Sequence, residues 1–203
     1  MDDGAPTAVL GFRPHTYWTA AVALVGPLGA PRVVERRRIV FAAPEARFVY
    51  HRAAQGALTE AAKLIEAVRR TTEHDAAREI GAVVAELRRD GFKVSVACVP
   101  SGTAKLPDAL EDILRAHSRI HAAEGMFYRD VLAGACEMLG LEVRRLVERE
   151  SPTLACDLLA ISPLALQARL GEMGAALGPP WSEDFRLATL AAWMQLESES
   201  ASA

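Results

Sequence analysis

The chain has 203 residues, of which 51% are hydrophobic and 24% charged, with a formal net charge of −3 and a pI near 6.0. That length suits one domain with a sizeable core. The acidic balance excludes a strongly basic nucleic-acid binder, so any such contact has to come from a local patch. The N-terminal MDDGAPTA is acidic and has no apolar stretch, so it does not read as a signal peptide. AVLGFR (8–13) reads as a first strand and WTAAVALVG (18–26) as a second, whose apolar run implies burial on both faces. GPLGAP (26–31) is a turn, because Gly and Pro crowd it. PRVVERRRIVF (31–41) reads as a third strand, and its central ERRR suits a sheet edge.

Helical spacing follows, with Leu58, Ala61, Ile65 and Val68 on one face, then Ala76, Ile80, Val83, Val84 and Leu87, ended by Asp90-Gly91. FKVSVACV (92–99) is a fourth strand, closed by PSG. Residues 106–140 read as one long helix with Gly140 just past its end. EVRRLVE (142–148) is a fifth strand, Ser162-Pro163 starts a further helix as N-cap and first residue, and a final helix runs from near Ser182 to about Leu196. Cys98, Cys136 and Cys156 are far apart with no CxxC, which reads as three buried free thiols in a reducing, cytoplasmic setting. The longest apolar run, TAAVALVGPLGA, is broken by Gly and Pro, so no membrane contact is expected. The expected organisation is a flexible N-terminus (1–7), a single domain (8–196) and a flexible tail (197–203).

Short turns make the first three strands an antiparallel meander, and helical crossovers make the fourth and fifth parallel to the first. That string is the order of the ribonuclease H-like fold: α/β, a mixed five-stranded sheet of order 3-2-1-4-5, with helices on both faces. VLGFRPHTYWTAAVAL (9–24) adds detail, since it resembles the opening of the Holliday-junction resolvase branch of that superfamily. The branch begins with an apolar strand, Gly, an apolar residue, Asp, Pro and Gly. Here Leu10, Gly11, Phe12, Arg13 and Pro14 follow the pattern, with Arg13 where the family has its first catalytic aspartate. SEDFRLATLAAW (182–193) offers Asp184 where the family has an acid early in its last helix, but VACVPSG (96–102) has no carboxylate to match the acid after the fourth strand. The resemblance implies clustered carboxylates holding divalent metals for phosphoryl transfer. A guanidinium at Arg13 puts fixed positive charge there instead. The expectation is therefore that Arg13 points into the cleft at the end of the first strand and that a two-metal nuclease site is lost.

AHSRIHAAEGMFYRD (116–130) is the other candidate region. At about 100° per residue, His117, His121, Glu124 and Tyr128 fall within roughly 60° of one another on the same side as Leu110, Ile113, Leu114, Val131, Leu132, Ala135 and Leu139. The polar group thus interrupts an apolar stripe expected to lie on the sheet, and a buried Glu124 needs a donor: a histidine, Arg13 or a ligand. Three readings compete, a structural network, a small-molecule or phosphate pocket with histidine acid/base groups, and a metal site. His15, His51 and His74 have no identifiable partner in the sequence, and Walker, Rossmann, GxSxG and zinc-finger motifs are absent.

The leading expectation is an atypical ribonuclease H-like protein that binds nucleic acid or another phosphate-bearing ligand without two-metal nuclease activity. Arg13, His117 and Tyr128 are its candidate ligand-binding residues, and no metal ligand is assigned. The alternative is a divergent metal-dependent phosphodiester hydrolase with His121, Glu124 and Asp184 as catalytic residues and Mg²⁺ or Mn²⁺ as cofactor. A protein-interaction subunit is a third class, and a homodimer is the assembly allowed for.

Overall fold

Two nearly uncharged runs, β1 (Thr7–Pro14) and β2 (Trp18–Val25), form the centre of a five-stranded sheet. Both are buried on both faces, which is why neither shows the polar alternation of a half-exposed strand. β3 (Arg32–Val40) pairs antiparallel with β2 at one edge, while β4 (Lys93–Cys98) runs parallel to β1 and β5 (Glu142–Arg144) parallel to β4. The order is β3-β2-β1-β4-β5, as expected from the element order and the crossover rule. The computed structural model describes residues 4–41 and 46–196; the expectations for residues 1–3 and 197–203 lie outside the described residues.

Seven helices are described: α1 (Val49–Ala53), α2 (Leu58–Arg89), α3 (Leu110–Leu114), α4 (His117–Met138), α5 (Ser151–Leu159), α6 (Pro163–Leu177) and α7 (Glu183–Trp193). Side chains alternate along β1. Leu10 and Phe12 join α2 and α4 in one core through Ile80, Val84, Phe127 and Val131, while Val9 joins Ala188, Leu190 and Trp193 of α7 in the other. Helices therefore cover both faces. Among the described residues no single helix is long and apolar enough to cross a membrane.

Local signals act where the sequence places them. Gly91 (φ 88°) and Gly140 (φ 72°) close α2 and α4 in the left-handed conformation, with Phe92 N–H bonded to Leu87 O and Leu141 N–H to Cys136 O. Ser162 Oγ accepts from Ala165 N–H at 3.2 Å, with Pro163 in the first turn of α6. The arginines of β3 hold structure together. Arg36 donates to the carbonyls of Gly178, Pro179 and Pro180 beyond α6, Arg37 binds Glu86 of α2 at 2.6 Å, and Arg38 lies over the Trp18 ring.

Several elements differ from the sequence reading. The helix expected over 106–140 is two, because Ala116 is extended (φ −126°, ψ 119°) and separates α3 from α4. On the far side of the break Ile113 of α3 is buried. β5 is also shorter than 142–148. Beyond Arg144 pairing survives only as a parallel bridge between Ser101 and Val147. The five-residue α1 had no clear apolar period to announce it.

Gly11 is where α7 meets the sheet. A Cβ there would overlap the backbone oxygen of Ala188 and lie 2.8 Å from the Ala192 Cβ. Gly11→Ala is expected to destabilise the protein by about 1–3 kcal/mol, read by urea denaturation, because two rigid backbones have to separate. Thiol chemistry gives a second check. Burial pushes the thiols of Cys98 and Cys136 up to about 12, while Cys156 is partly exposed. In the native state at pH 8 a thiol reagent is expected to label Cys156 alone, with Cys98 and Cys136 reacting on unfolding.

Candidate functional site

β1 and β4 part company at their C-terminal ends. Their last paired residues are Gly11 and Cys98; continuing that register puts Arg13 opposite Pro100, which has no N–H to offer. Arg13 emerges at this point. Its Nη1 donates to Pro14 O at 2.9 Å and lies 3.4 Å from Glu148 Oε2. Glu148 begins a short 3-10 turn just before α5, and the same Oε2 lies 3.5 Å from Nη2 of Arg129 on α4. Two guanidiniums thus share one carboxylate, all three side chains being about four-fifths buried. None of these contacts with Glu148 meets hydrogen-bond geometry, and the Nε atoms of Arg13 and Arg129 are buried without hydrogen-bond partners among the described residues. Cationic charge is in excess, so the group does not fit a pair of divalent metals, which needs clustered oxygen ligands.

Asp184 meets the same end of the sheet from α7. Its Oδ1 lies 2.8 Å from Nε2 of His15, just past β1, and the His15 ring stacks on Trp18 with centroids 4.0 Å apart. This acid is engaged by a histidine and sits in the first turn of α7, where negative charge is favoured by the helix dipole.

On the opposite face, α4 carries the residues singled out in 116–130. Glu124 is buried and Tyr128 likewise, but His117 and His121 are exposed. The expectation that both histidines enter the core with Glu124 is corrected: they lie in the first two turns of α4 and face solvent. Arg13 is not the donor to Glu124 either, since it is engaged by Glu148. The donors come from α1. Glu124 Oε1 accepts from Tyr50 N–H at 2.7 Å and His51 N–H at 3.3 Å, and His51 Nδ1 lies 3.4 Å away. The residue before α1, Phe48, is left-handed (φ 55°) and provides no side-chain cap, so a carboxylate from another helix supplies the missing acceptor for the first turn. Tyr128 Oη donates to Ala46 O at 2.8 Å, and burial, with the charge of Glu124, pushes its hydroxyl well above the usual phenol range. Tyr128 therefore ties down the chain leading into α1, a structural duty beside its proposed ligand role.

His51 completes a group that the sequence left without a partner. Nε2 of His117 and Nε2 of His121 are 2.9 Å apart, the His51 ring is centred 4.7 Å from that of His121, and one ring nitrogen from each of the three lies within 4.8 Å of the others. His117 and His121 are legible as a pair because positions four apart share a helix face. His51, Glu148, Arg129 and His15 come from distant elements with no spacing rule to link them. Asp184 meets His15, Glu124 meets the amides of α1 and His121 meets His117, so the three have separate partners among the described residues.

The capping role of Glu124 is open to measurement. Glu124→Ala leaves two amides of α1 without an acceptor and is expected to cost roughly 1–3 kcal/mol in urea denaturation. Glu124→Gln keeps an acceptor oxygen and is expected to cost less. A change of about 0.5 kcal/mol or less for both is the behaviour of a surface carboxylate and rejects the cap.

No protein-family model matches the chain, and no curated protein matches it. Solved structures do. A structure described as Thermus thermophilus RuvC in complex with Holliday junction substrate superposes with a TM-score of 0.52 at 11% identity, covering 92% of this chain and 90% of that one. Another, of Thermus thermophilus RuvC, gives 0.46 at 13% identity, with 92% of each chain covered. The first of these similarities, together with the strand order β3-β2-β1-β4-β5, establishes a ribonuclease H-like fold.

Proposed function

We propose that this chain is an atypical ribonuclease H-like protein that binds nucleic acid or another phosphate-bearing ligand and does not carry out two-metal phosphodiester cleavage. The observation behind the reading is the convergence of Arg13 and Arg129 on the single carboxylate of Glu148 at the C-terminal edge of β1. Open α/β sheets take ligands in the crevice beyond the carboxyl ends of their strands. Guanidinium forks match phosphate oxygens, and two cations against one anion leave net positive charge for them. The description of the Thermus thermophilus protein as bound to a Holliday junction makes branched DNA the first ligand to try. Chemistry through Mg²⁺ or Mn²⁺ lacks support, because Arg13 stands where an oxygen ligand is needed and no carboxylate follows β4 in VPSG (99–102).

Three free thiols fit a reducing compartment, and the cytoplasm is the setting we infer. A homodimer is the assembly to test, since Leu154, Leu158 and Leu164 of α5 and α6 are exposed. Light scattering on the purified chain reads its mass directly.

The deciding experiment titrates the chain with four-way junction, duplex and single-stranded DNA, with Mg²⁺ and with Mn²⁺ present. Salt-dependent binding without cleavage is expected. Arg13→Ala or Arg129→Ala is expected to reduce the slope of log affinity against log salt by about one for each phosphate no longer neutralised. Arg13→Asp is expected to leave the protein inactive, because the second acid is still missing. Robust Mg²⁺-dependent cleavage of junction DNA by the unmodified chain overturns the proposal, and so does failure to bind any of the three DNA forms or inorganic phosphate.

A further inference from the structure

We infer that His51, His117 and His121 form a binding site for a single divalent transition-metal ion of the zinc class, on the face of the sheet away from Asp184. Three neutral imidazoles make a donor set suited to zinc, nickel or copper and poorly suited to magnesium, which demands oxygen ligands. The spacing is favourable: His117 and His121 stand four apart on α4 with their Nε2 atoms already facing each other, and His51 closes the set from α1. Three histidines with a fourth position open to water is the ligand count of a catalytic rather than a structural zinc site.

Glu124 is the second, independent observation. Its side chain is 8% exposed, Oε1 lies 3.4 Å from His51 Nδ1, and Oε2 is buried with no hydrogen-bond partner among the described residues. Ligating histidines commonly donate their other ring nitrogen to a carboxylate, which fixes the tautomer and raises the basicity of the bound nitrogen. With Nδ1–H directed at Glu124, the lone pair of His51 is on Nε2. A bound cation next to His51 also offsets the charge of a carboxylate that is otherwise held by two amides and one long contact. Glu124 is thus a positioning residue, and the ion joins the five-residue α1 to α4.

The test uses the full chain without a histidine tag, stripped with chelator, then titrated with Zn²⁺ by calorimetry and with Co²⁺ by visible absorption. Saturable binding of one equivalent per chain is expected, together with a Co²⁺ ligand-field spectrum and no response to Mg²⁺. Glu124→Gln is expected to weaken Zn²⁺ binding about 10–100-fold and to alter the Co²⁺ spectrum. His117→Ala and His121→Ala change exposed residues and are expected to fold normally, yet each weakens binding more than Glu124→Gln does. Zn²⁺ is expected to raise the thermal midpoint of the parent and not of the double variant H117A/H121A. Absence of saturable Zn²⁺ binding in the parent, or equal binding by the double variant, overturns the inference and leaves the three rings in contact without a metal role.

Discussion

β1 is closed in on every side. β2 takes its antiparallel edge and β4 its parallel edge, α2 and α4 seal the Leu10 and Phe12 face, and α7 seals the face of Gly11 so closely that no Cβ fits there. A strand enclosed along its middle can present functional groups only at its end. Arg13, past the last pairing with β4, and His15, just past the strand, emerge at that end; Glu148 meets Arg13 from the 3-10 turn before α5, and Asp184 meets His15 from α7. The chemistry available at the sheet edge follows from that enclosure.

The charge at this edge is inverted relative to a metal-dependent phosphoryl-transfer site. Such a site concentrates carboxylates and relies on cations from solution to neutralise substrate and transition state. Here the cations are covalent, as Arg13 and Arg129, and the one carboxylate between them is neutralised by both. Fixed guanidiniums can hold a phosphate, but they cannot lower the pKa of a water or bridge attacking and leaving oxygens as paired metals do. Two fixed cations around one carboxylate therefore do not offer the oxygen-ligand cluster that paired divalent metals need.

On the opposite face the buried Glu124 links two scales. Locally it replaces a missing side-chain cap on α1; globally it fixes the helix that brings His51 to His117 and His121. One carboxylate thus provides both the hydrogen bonds that hold the short helix and the polar environment of the imidazole cluster. Tyr128 supports the same arrangement by binding Ala46 O, just before α1.

The sequence by itself determined the sheet. Apolar runs with no polar alternation marked the central strands, Gly and Pro marked the turns, glycines and Ser162-Pro163 marked helix ends, and crossover handedness fixed the order of the parallel strands. These features are local or follow one chirality rule, so they can be read in order along the chain. It also singled out the 117–128 cluster as an interruption of an apolar stripe, and Arg13 and Asp184 through the resemblance of residues 9–24 and 182–193 to a resolvase pattern. Only the tertiary structure decided what each touches. The break at Ala116 is a single extended residue between α3 and α4, and no Gly or Pro there announces it. Glu124 faces the amides of α1, Asp184 faces His15, and His51 joins His117 and His121, because packing α1 against α4 and α7 against β1 brings together residues separated widely in the chain. Periodicity says which way a side chain faces relative to its own element; the partner on the next element is set by how the elements pack.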